Sequence, residues 1–186
     1  MMSTVRQWQR RRRITWIGIA TLLLMLVILD QAGLLLVPRH SDHAHYHQRI
    51  ARVVYVLNGD TVDIDLPDPL QGRDQTRVRL LGIRAPRLAH SSADHEPGAM
   101  EAHDALRAMI EGRRVQLSVS GRTRTEQGHL LARIHLPGDP LSINAQLLGD
   151  GLAYFDDGWA HADLSEDAAA ERAARTAGRG VWGANN

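Results

Sequence analysis

The feature that most constrains the fold is an Asn-Gly pair between two strand-like runs. Residues 50–57 read IARVVYVL and residues 61–66 read TVDIDL, with Asn58 and Gly59 in the short interval between them. Both residues tolerate the positive φ angles that a tight turn demands, and strands joined in this way are antiparallel neighbours. The pattern therefore predicts a β-hairpin at the start of a folded domain, near Ile50.

Further strands and helices follow the hairpin. Three more runs have the composition of strands, at residues 76–83, 113–120 and 129–136. Apolar residues at helical spacing predict helices over residues 97–112, 142–153 and 163–177. The order β-β-β-α-β-β-α-α predicts an α+β domain, a small closed β-barrel of five strands with helices packed around it.

The N-terminal segment predicts a membrane anchor. Residues 1–13 hold five arginines and no acid, and residues 14–29 form an uncharged apolar run that residues 32–37 extend. A single transmembrane helix over residues 14–37 would keep residues 1–13 in the cytoplasm. The rest of the chain would then lie on the periplasmic side of a bacterial inner membrane. A cleaved signal peptide is the alternative, but Asp30 before Ala32 makes a poor cleavage site, which favours a retained anchor.

A histidine-rich segment, residues 38–49, separates the predicted anchor from the predicted domain. It contains four histidines, His40, His43, His45 and His47. Closely spaced histidines can capture zinc or copper, but a solvated linker needs no metal and explains the composition equally simply. We therefore interpret the segment as a polar linker.

Charge along the chain is strongly uneven. From Arg49 onward there are 16 arginines and 19 acids. A general nucleic-acid-binding domain usually has a clear excess of basic residues, and this domain lacks one overall. The excess is local, because residues 73–87 hold five arginines and a single acid, Asp74. There is no cysteine, so disulfides and thiolate chemistry are excluded.

Four motifs in order resemble the staphylococcal nuclease (thermonuclease) family over residues 50–183. They are GDTV after the first strand, RLLGI followed by Ala-Pro after the third, QGHLLA before the fifth, and GLA and GVW near the end. The resemblance implies an OB-fold barrel of five strands with three helices. It also implies a parent activity, the calcium-dependent hydrolysis of DNA and RNA phosphodiesters.

The family's functional positions are only partly retained. The GDTV aspartate, a calcium ligand in the family, falls on Asp60, and the arginine that contacts the scissile phosphate falls on Arg79. The family's next aspartate and glutamate, a calcium ligand and the proposed general base, are replaced by Arg84 and Arg87. A second family arginine, which stabilises the transition state, is replaced by His129.

These replacements predict the loss of the calcium site. Across Asp60 and the two replaced positions, the formal charge changes from −3 in the family pattern to +1 here. A guanidinium about 5 Å from a divalent cation costs roughly 6 to 7 kcal/mol at an effective dielectric near 20. Asp60 alone is then an insufficient metal ligand, and we expect no cofactor and an impaired family mechanism.

The arginines have two alternative uses. Arg79, Arg84 and Arg87 together would form a clamp for a phosphate or a carboxylate. Alternatively, Arg84 and Arg87 pair with nearby acids and only stabilise the surface; the acids in question are Asp60, Asp63 and Asp94.

The loop after the arginines also carries metal-binding residue types. A zinc or manganese site rebuilt there would use four side chains, which are His90, Asp94, His95 and Glu96. Ordinary loop polarity explains the same residues without a metal.

Three functions follow from these alternatives. The first is a binding module for a nucleic acid, another polyanion or a protein partner. The second is an atypical nuclease that remains active. The third is a purely structural or protein-interaction domain that uses its acidic C-terminal helix.

Overall fold

The computed structural model describes residues 19, 21–25, 41–89, 94–159 and 165–183. The chain divides into two compact units, residues 1–39 and residues 40–186. The basic N-terminus (residues 1–13) and most of the predicted anchor (residues 14–37) lie outside the described residues, so the anchor stays a prediction. Within the described ranges, no helix is both long enough and apolar enough to cross a membrane.

The second unit contains seven strands and four α-helices among its described residues. In chain order they are α1 (Asp42–Tyr46), β1 (Ile50–Asn58), β2 (Thr61–Ile64), β3 (Thr76–Leu80), β4 (Ile83–Arg84), α2 (Ala99–Ile110), β5 (Arg114–Ser118), β6 (Leu130–His135), α3 (Ile143–Gly149), β7 (Tyr154–Phe155) and α4 (Ser165–Ala177). Two single-turn 3₁₀ helices cover Asp157–Trp159 and Gly180–Trp182.

Five strands close into a barrel in the order β1-β2-β3-β6-β5, with β5 pairing back onto β1. The predicted hairpin is confirmed, because β1 and β2 are antiparallel and Asn58 pairs with Thr61 across the turn. All neighbours are antiparallel except β3 and β6, which run parallel. The barrel predicted from the five strand-like runs is therefore present, and α2, α3 and α4 fall in the three segments predicted as helices.

The barrel interior is filled by small branched aliphatic side chains that alternate along the strands. The fully buried members include Val53, Val56, Val62, Ile64, Val78, Leu80, Val115, Leu117, Leu130 and Ile134. Helix α2 covers one part of this core with Leu106 and Ile110, and α3 covers another with Ile143 and Leu147. Each such side chain stabilises the fold by about 1.5 to 3 kcal/mol on burial, which fixes the barrel that carries the site.

Residues 41–49 belong to the domain, whereas the sequence predicted them to be part of a linker over 38–49. Ser41 caps α1, and the Tyr46 hydroxyl lies 3.0 Å from the carbonyl oxygen of Pro67 and 3.1 Å from Thr76 Oγ1. The buried Asp42 carboxylate accepts hydrogen bonds from Arg124. Because Asp42 and Tyr46 are four residues apart, they lie on one face of the short helix and dock it onto the barrel. Among the described residues, no group of three or more His, Asp or Glu side chains could hold a metal ion.

A two-stranded sheet outside the barrel pairs β4 with β7 and sets Arg84 opposite Tyr154. It forms because the predicted helix over 142–153 ends at Gly149, and Gly151 has a φ of 71°. A Cβ at Gly151 would collide with the carbonyl oxygen of Arg179, so the GLA and GVW motifs meet at a point where two backbones touch.

Candidate anion-binding site

Asp60 lies in the turn between β1 and β2, where local contacts fix its position. Its backbone N–H donates to Asn58 Oδ1 at 3.0 Å, and its carbonyl oxygen accepts from the Leu80 N–H at 2.8 Å. The preceding residue must be small, because a Cβ at Gly59 would lie 2.7 Å from the Cβ atoms of both Ala85 and Ala102. The Asn-Gly turn thus lets α2 and the segment after β4 approach Asp60 closely.

Both carboxylate oxygens of Asp60 are held by protein donors. Oδ1 accepts from Arg79 Nη1 at 2.8 Å and from Thr61 Oγ1 at 2.9 Å, and Oδ2 accepts from the Ala85 N–H at 2.8 Å. Burial raises the pKa of Asp60 above its ordinary value, while Arg79 and the Ala85 amide act in the opposite direction. The two retained family residues therefore neutralise each other within the fold.

Arg84 and Arg87 share one carboxylate, Glu96. Arg84 Nη1 lies 3.4 Å from Glu96 Oε2, the Arg87 backbone N–H donates to the same oxygen at 3.0 Å, and Arg87 Nε lies 4.0 Å from Oε1. The amide of Arg87, helped by both guanidinium groups, lowers the pKa of Glu96. The side chains of Arg84 and Arg87 are 50% and 72% exposed, so both remain open to solvent.

From the sequence, we expect Arg84 and Arg87, if they form ion pairs, to pair with Asp60, Asp63 or Asp94. Asp63 pairs instead with Arg77, at 2.8 Å, and Asp60 pairs with Arg79. Glu96, which the sequence placed in a rebuilt metal site, is the acid that faces Arg84 and Arg87. Glu96 pairs with them because the backbone turn at residues 94–98 brings its carboxylate to the Arg87 amide. Sequence spacing alone does not reveal this contact.

Four of the five residues that the motifs assigned to functional positions of the family line one hollow of about 260 Å³, which we call the arginine hollow. Its lining includes Asp60, Arg79, Arg84 and Arg87, together with Glu96. Three arginines and two acids leave this hollow with a formal charge of +1. The structure therefore brings together the residues that the sequence assigned to an anion clamp.

The fifth position, His129, lines a neighbouring cleft of about 580 Å³ that also contains Arg77, Arg79 and Thr125. Burial lowers the pKa of His129, and the nearby guanidinium groups of Arg77 and Arg73 lower it further. Since the ordinary pKa of histidine already lies below 7, a lowered pKa keeps the ring mainly neutral at pH 7. His129 thus supplies little positive charge to this cleft at pH 7.

Calcium does not fit the residues of the hollow. It takes six to eight oxygen ligands, several of them anionic. The hollow offers the Asp60 carboxylate, whose two oxygens already accept three hydrogen bonds, and Glu96, which is held by Arg84 and Arg87. Two exposed guanidinium groups at the same place add repulsion for any divalent cation.

The rebuilt metal site is only partly within the described residues, since His90 lies outside them. Of its other members, His95 accepts the Ala89 N–H through Nδ1 at 3.0 Å, and Asp94 is exposed. Glu96 is turned towards the arginines. The four-residue site stays a prediction.

Sequence reasoning missed two residues that shape this region. Arg77 lines the larger cleft and also a shallow polar hollow next to Asp63. The sequence offered a signal for it, because the alternation in TRVRL puts Arg77 and Arg79 on the same face of β3. Tyr154 lies 4.7 Å below the Arg84 guanidinium, measured to the ring centroid. Its role had no local signal, because it depends on the pairing of β4 with β7.

The closed mixed barrel, with a polar site where its first hairpin meets its third strand, defines a small domain of the OB-fold type. A family model for staphylococcal nuclease homologues matches residues 77–184, more than half of the chain. The chain therefore belongs to the staphylococcal nuclease homologue family, as the motifs predicted. A comparison with curated proteins found no match. The matched range includes Arg79, Arg84, Arg87 and His129, and Asp60 precedes it.

Proposed function

We propose that this domain binds the phosphate groups of a nucleic acid or another polyanion without a metal ion, and that it no longer hydrolyses phosphodiesters. One observation carries the proposal: the hollow that holds calcium carboxylates in the family pattern is lined here by Arg79, Arg84 and Arg87. Arginine is suited to this task because its planar fork donates two parallel hydrogen bonds to a phosphate.

The ion pairs already present leave room for such a ligand. Glu96 lies 3.4 Å from Arg84 and 4.0 Å from Arg87, and exposed pairs of this kind contribute about 0 to 1 kcal/mol. Arg79 is different, because its contact with the buried Asp60 is short. Arg84 and Arg87 are therefore the groups that exchange Glu96 for a phosphate, and Arg79 supports them with its remaining donors.

The loss of hydrolysis follows from the same residues. A general base typically contributes 10² to 10⁴ in rate, and a metal ion stabilises the phosphoryl charge in addition. The position of the family's base is Arg87, which cannot accept a proton, and the donor set does not suit calcium. His129 is neutral and lacks the fork of an arginine.

The location of the domain is part of the proposal. The arginine cluster before the apolar run supports an anchor over residues 14–37 with the barrel on the periplasmic side. A membrane-tethered, metal-independent polyanion receptor is the function that these features support best.

The test is a binding titration with the full-length protein in detergent, in the presence of EDTA. A fluorescent single-stranded oligonucleotide should bind with an affinity that falls as salt rises, with a slope of about −0.7 per phosphate contacted. The double variant Arg84→Asp/Arg87→Glu should lose this binding.

A matched control changes the same charge elsewhere. Arg114 and Arg172 are exposed and do not line the arginine hollow, so Arg114→Asp/Arg172→Glu should retain most of the affinity. Equal losses in the two double variants would show that net charge, not the hollow, drives binding. Cleavage of DNA in a zymogram with calcium, zinc or manganese would refute the loss of hydrolysis and favour the atypical nuclease.

A further inference from the structure

A second hollow adjoins the arginine hollow and has different chemistry. It measures about 390 Å³ and is lined by Arg84, Glu96, Pro97, Tyr154 and Val181. Arg84 and Glu96 line both hollows, so these two side chains form the wall that the hollows share. The first hollow contributes charge, whereas the second adds an aromatic ring and two apolar side chains.

The Arg84 guanidinium is held in place at this junction. Its guanidinium lies over the Tyr154 ring, 4.7 Å from the centroid, because the β4–β7 pairing sets the two residues opposite each other. Tyr154 is in turn braced by an edge-to-face contact with Trp182, with 5.2 Å between the ring centroids. Arg175 covers another part of Trp182, at 4.0 Å. Arg84 is therefore held by a cation–π contact with a ring that is itself fixed by its neighbours.

The supported guanidinium still has an accessible side. The Arg84 side chain is 50% exposed, although Tyr154 lies beneath it and Glu96 lies at its edge. Unstacked bases pack on arginine planes and on aromatic rings in single-stranded nucleic acids, and double-stranded helices do not present them in this way.

From this geometry we infer that Arg84, backed by Tyr154, forms a stacking shelf for a nucleobase, beside the hollow that binds its phosphate. The inference rests on the proposed function and narrows its ligand from any polyanion to single-stranded nucleic acid. Pro97 and Val181 provide the apolar walls that a base requires and a bare polyphosphate does not.

The experiment compares two fluorescent probes on the full-length protein in EDTA, at one salt concentration. One is an eight-nucleotide single strand, and the other is the same backbone with every base replaced by an abasic tetrahydrofuran unit. Their phosphates are identical, so a difference in affinity reports the bases. We expect the strand with bases to bind about five- to 150-fold more tightly, the range for one stacked base.

Three variants locate the difference. Tyr154→Leu should remove most of it while the abasic probe binds as before, and Tyr154→Phe, which keeps the ring, should preserve it. Tyr55→Leu is the matched control, because Tyr55 is an exposed tyrosine on β1 that lines neither hollow. A fold damaged by Tyr154→Leu would reveal itself through weaker binding of the abasic probe.

The outcomes separate this inference from the function on which it rests. Equal binding of the two probes by the unmodified protein would overturn the shelf and leave the polyanion site in place. Retention of the full difference by Tyr154→Leu would also overturn it. Failure of both probes to bind would refute the proposed function, and the shelf with it.

Discussion

Replacing Asp60 by alanine should destabilise the domain strongly, although the residue lies in a surface turn. Its carboxylate is 4% exposed and accepts three hydrogen bonds, including one from Arg79 at 2.8 Å. Asp60→Ala leaves the Arg79 guanidinium, itself only 25% exposed, without its counter-charge, and leaves the Ala85 N–H without its acceptor. Removal of one partner of a buried ion pair costs about 3 to 5 kcal/mol in the free energy of unfolding.

The barrel provides a matched control three positions along the chain, at Asp63. Asp63 pairs with Arg77 at the same distance, 2.8 Å, and in both pairs the arginine lies on β3. These side chains are 17% and 34% exposed, so solvent screens the attraction. We expect Asp63→Ala to cost about 1 kcal/mol or less.

The measurement is urea unfolding of the full-length protein and both variants, followed by circular dichroism, with calcium absent and then present. Asp60→Ala should lower the free energy of unfolding by at least about 2 kcal/mol more than Asp63→Ala, the gap between the two ranges. Calcium should leave the unmodified protein's midpoint unchanged. Equal and small losses in the two variants would refute the view that Asp60 is a structural anion, and a calcium-dependent midpoint would refute the loss of the metal site.

Three further predictions test separate features. Burial raises the pKa of Asp167 to about 6, above the ordinary value of 3.8, so the folded state holds its proton more tightly than the unfolded state does. The free energy of unfolding should therefore fall by about 2 kcal/mol from pH 4 to pH 6, and urea titrations of Asp167→Asn should lack this fall. Because the pKa of His129 is lowered and the ring is neutral at pH 7, His129→Arg should strengthen oligonucleotide binding by about 1 kcal/mol, the attraction of unit charges about 4 Å apart in water, as fluorescence anisotropy would measure. A reporter fused after Val37 should be exported and remain with the membrane fraction, and its recovery as a soluble periplasmic protein with a new N-terminus would contradict the anchor.

The barrel was predictable because its signals are local. Alternating aliphatic residues mark the strands, and the Asn-Gly pair correctly marked the first hairpin. The loop itself is Gly59-Asp60, and neither Asn58 nor Gly59 has a positive φ. The docking of α1 was not predictable in this way, since five residues are too few to show helical periodicity. Its anchor is Arg124, whose guanidinium bonds both Asp42 and Asp68. These partners lie 82 and 56 positions away in the sequence, beyond any local rule.

Motif spacing named four residues that line the arginine hollow, namely Asp60, Arg79, Arg84 and Arg87. It did not name Glu96, which lines the same hollow, and it did not show how the charges pair. The partner of each charge depends on tertiary register instead. Thr61 is opposite Arg79 in the β2–β3 ladder, which brings the guanidinium to Asp60, and the two-residue strands β4 and β7 bring Tyr154 to Arg84. Strands this short have no recognisable sequence pattern.

The arginines at positions 84 and 87 and the ion pair between Asp60 and Arg79 are best understood together. A buried carboxylate needs a counter-charge, and the family resemblance implies that a calcium ion provides it for the aspartate that Asp60 matches. Once Arg84 and Arg87 repel a divalent cation, that counter-charge must come from the protein, and Arg79 supplies it at 2.8 Å. Arg79 is then partly withdrawn from any phosphate. Under our proposal, Asp60 and Arg79 therefore hold the hairpin in place, while Arg84 and Arg87 bind the phosphate.

The double variant Arg84→Asp/Arg87→Glu should reverse these roles: calcium would compensate the charge of Asp60, and Arg79 would be free to contact a phosphate. If the double variant gains calcium binding but Arg79 makes no stronger phosphate contact, then Arg84 and Arg87 do exclude calcium, but calcium does not replace Arg79 as the partner of Asp60.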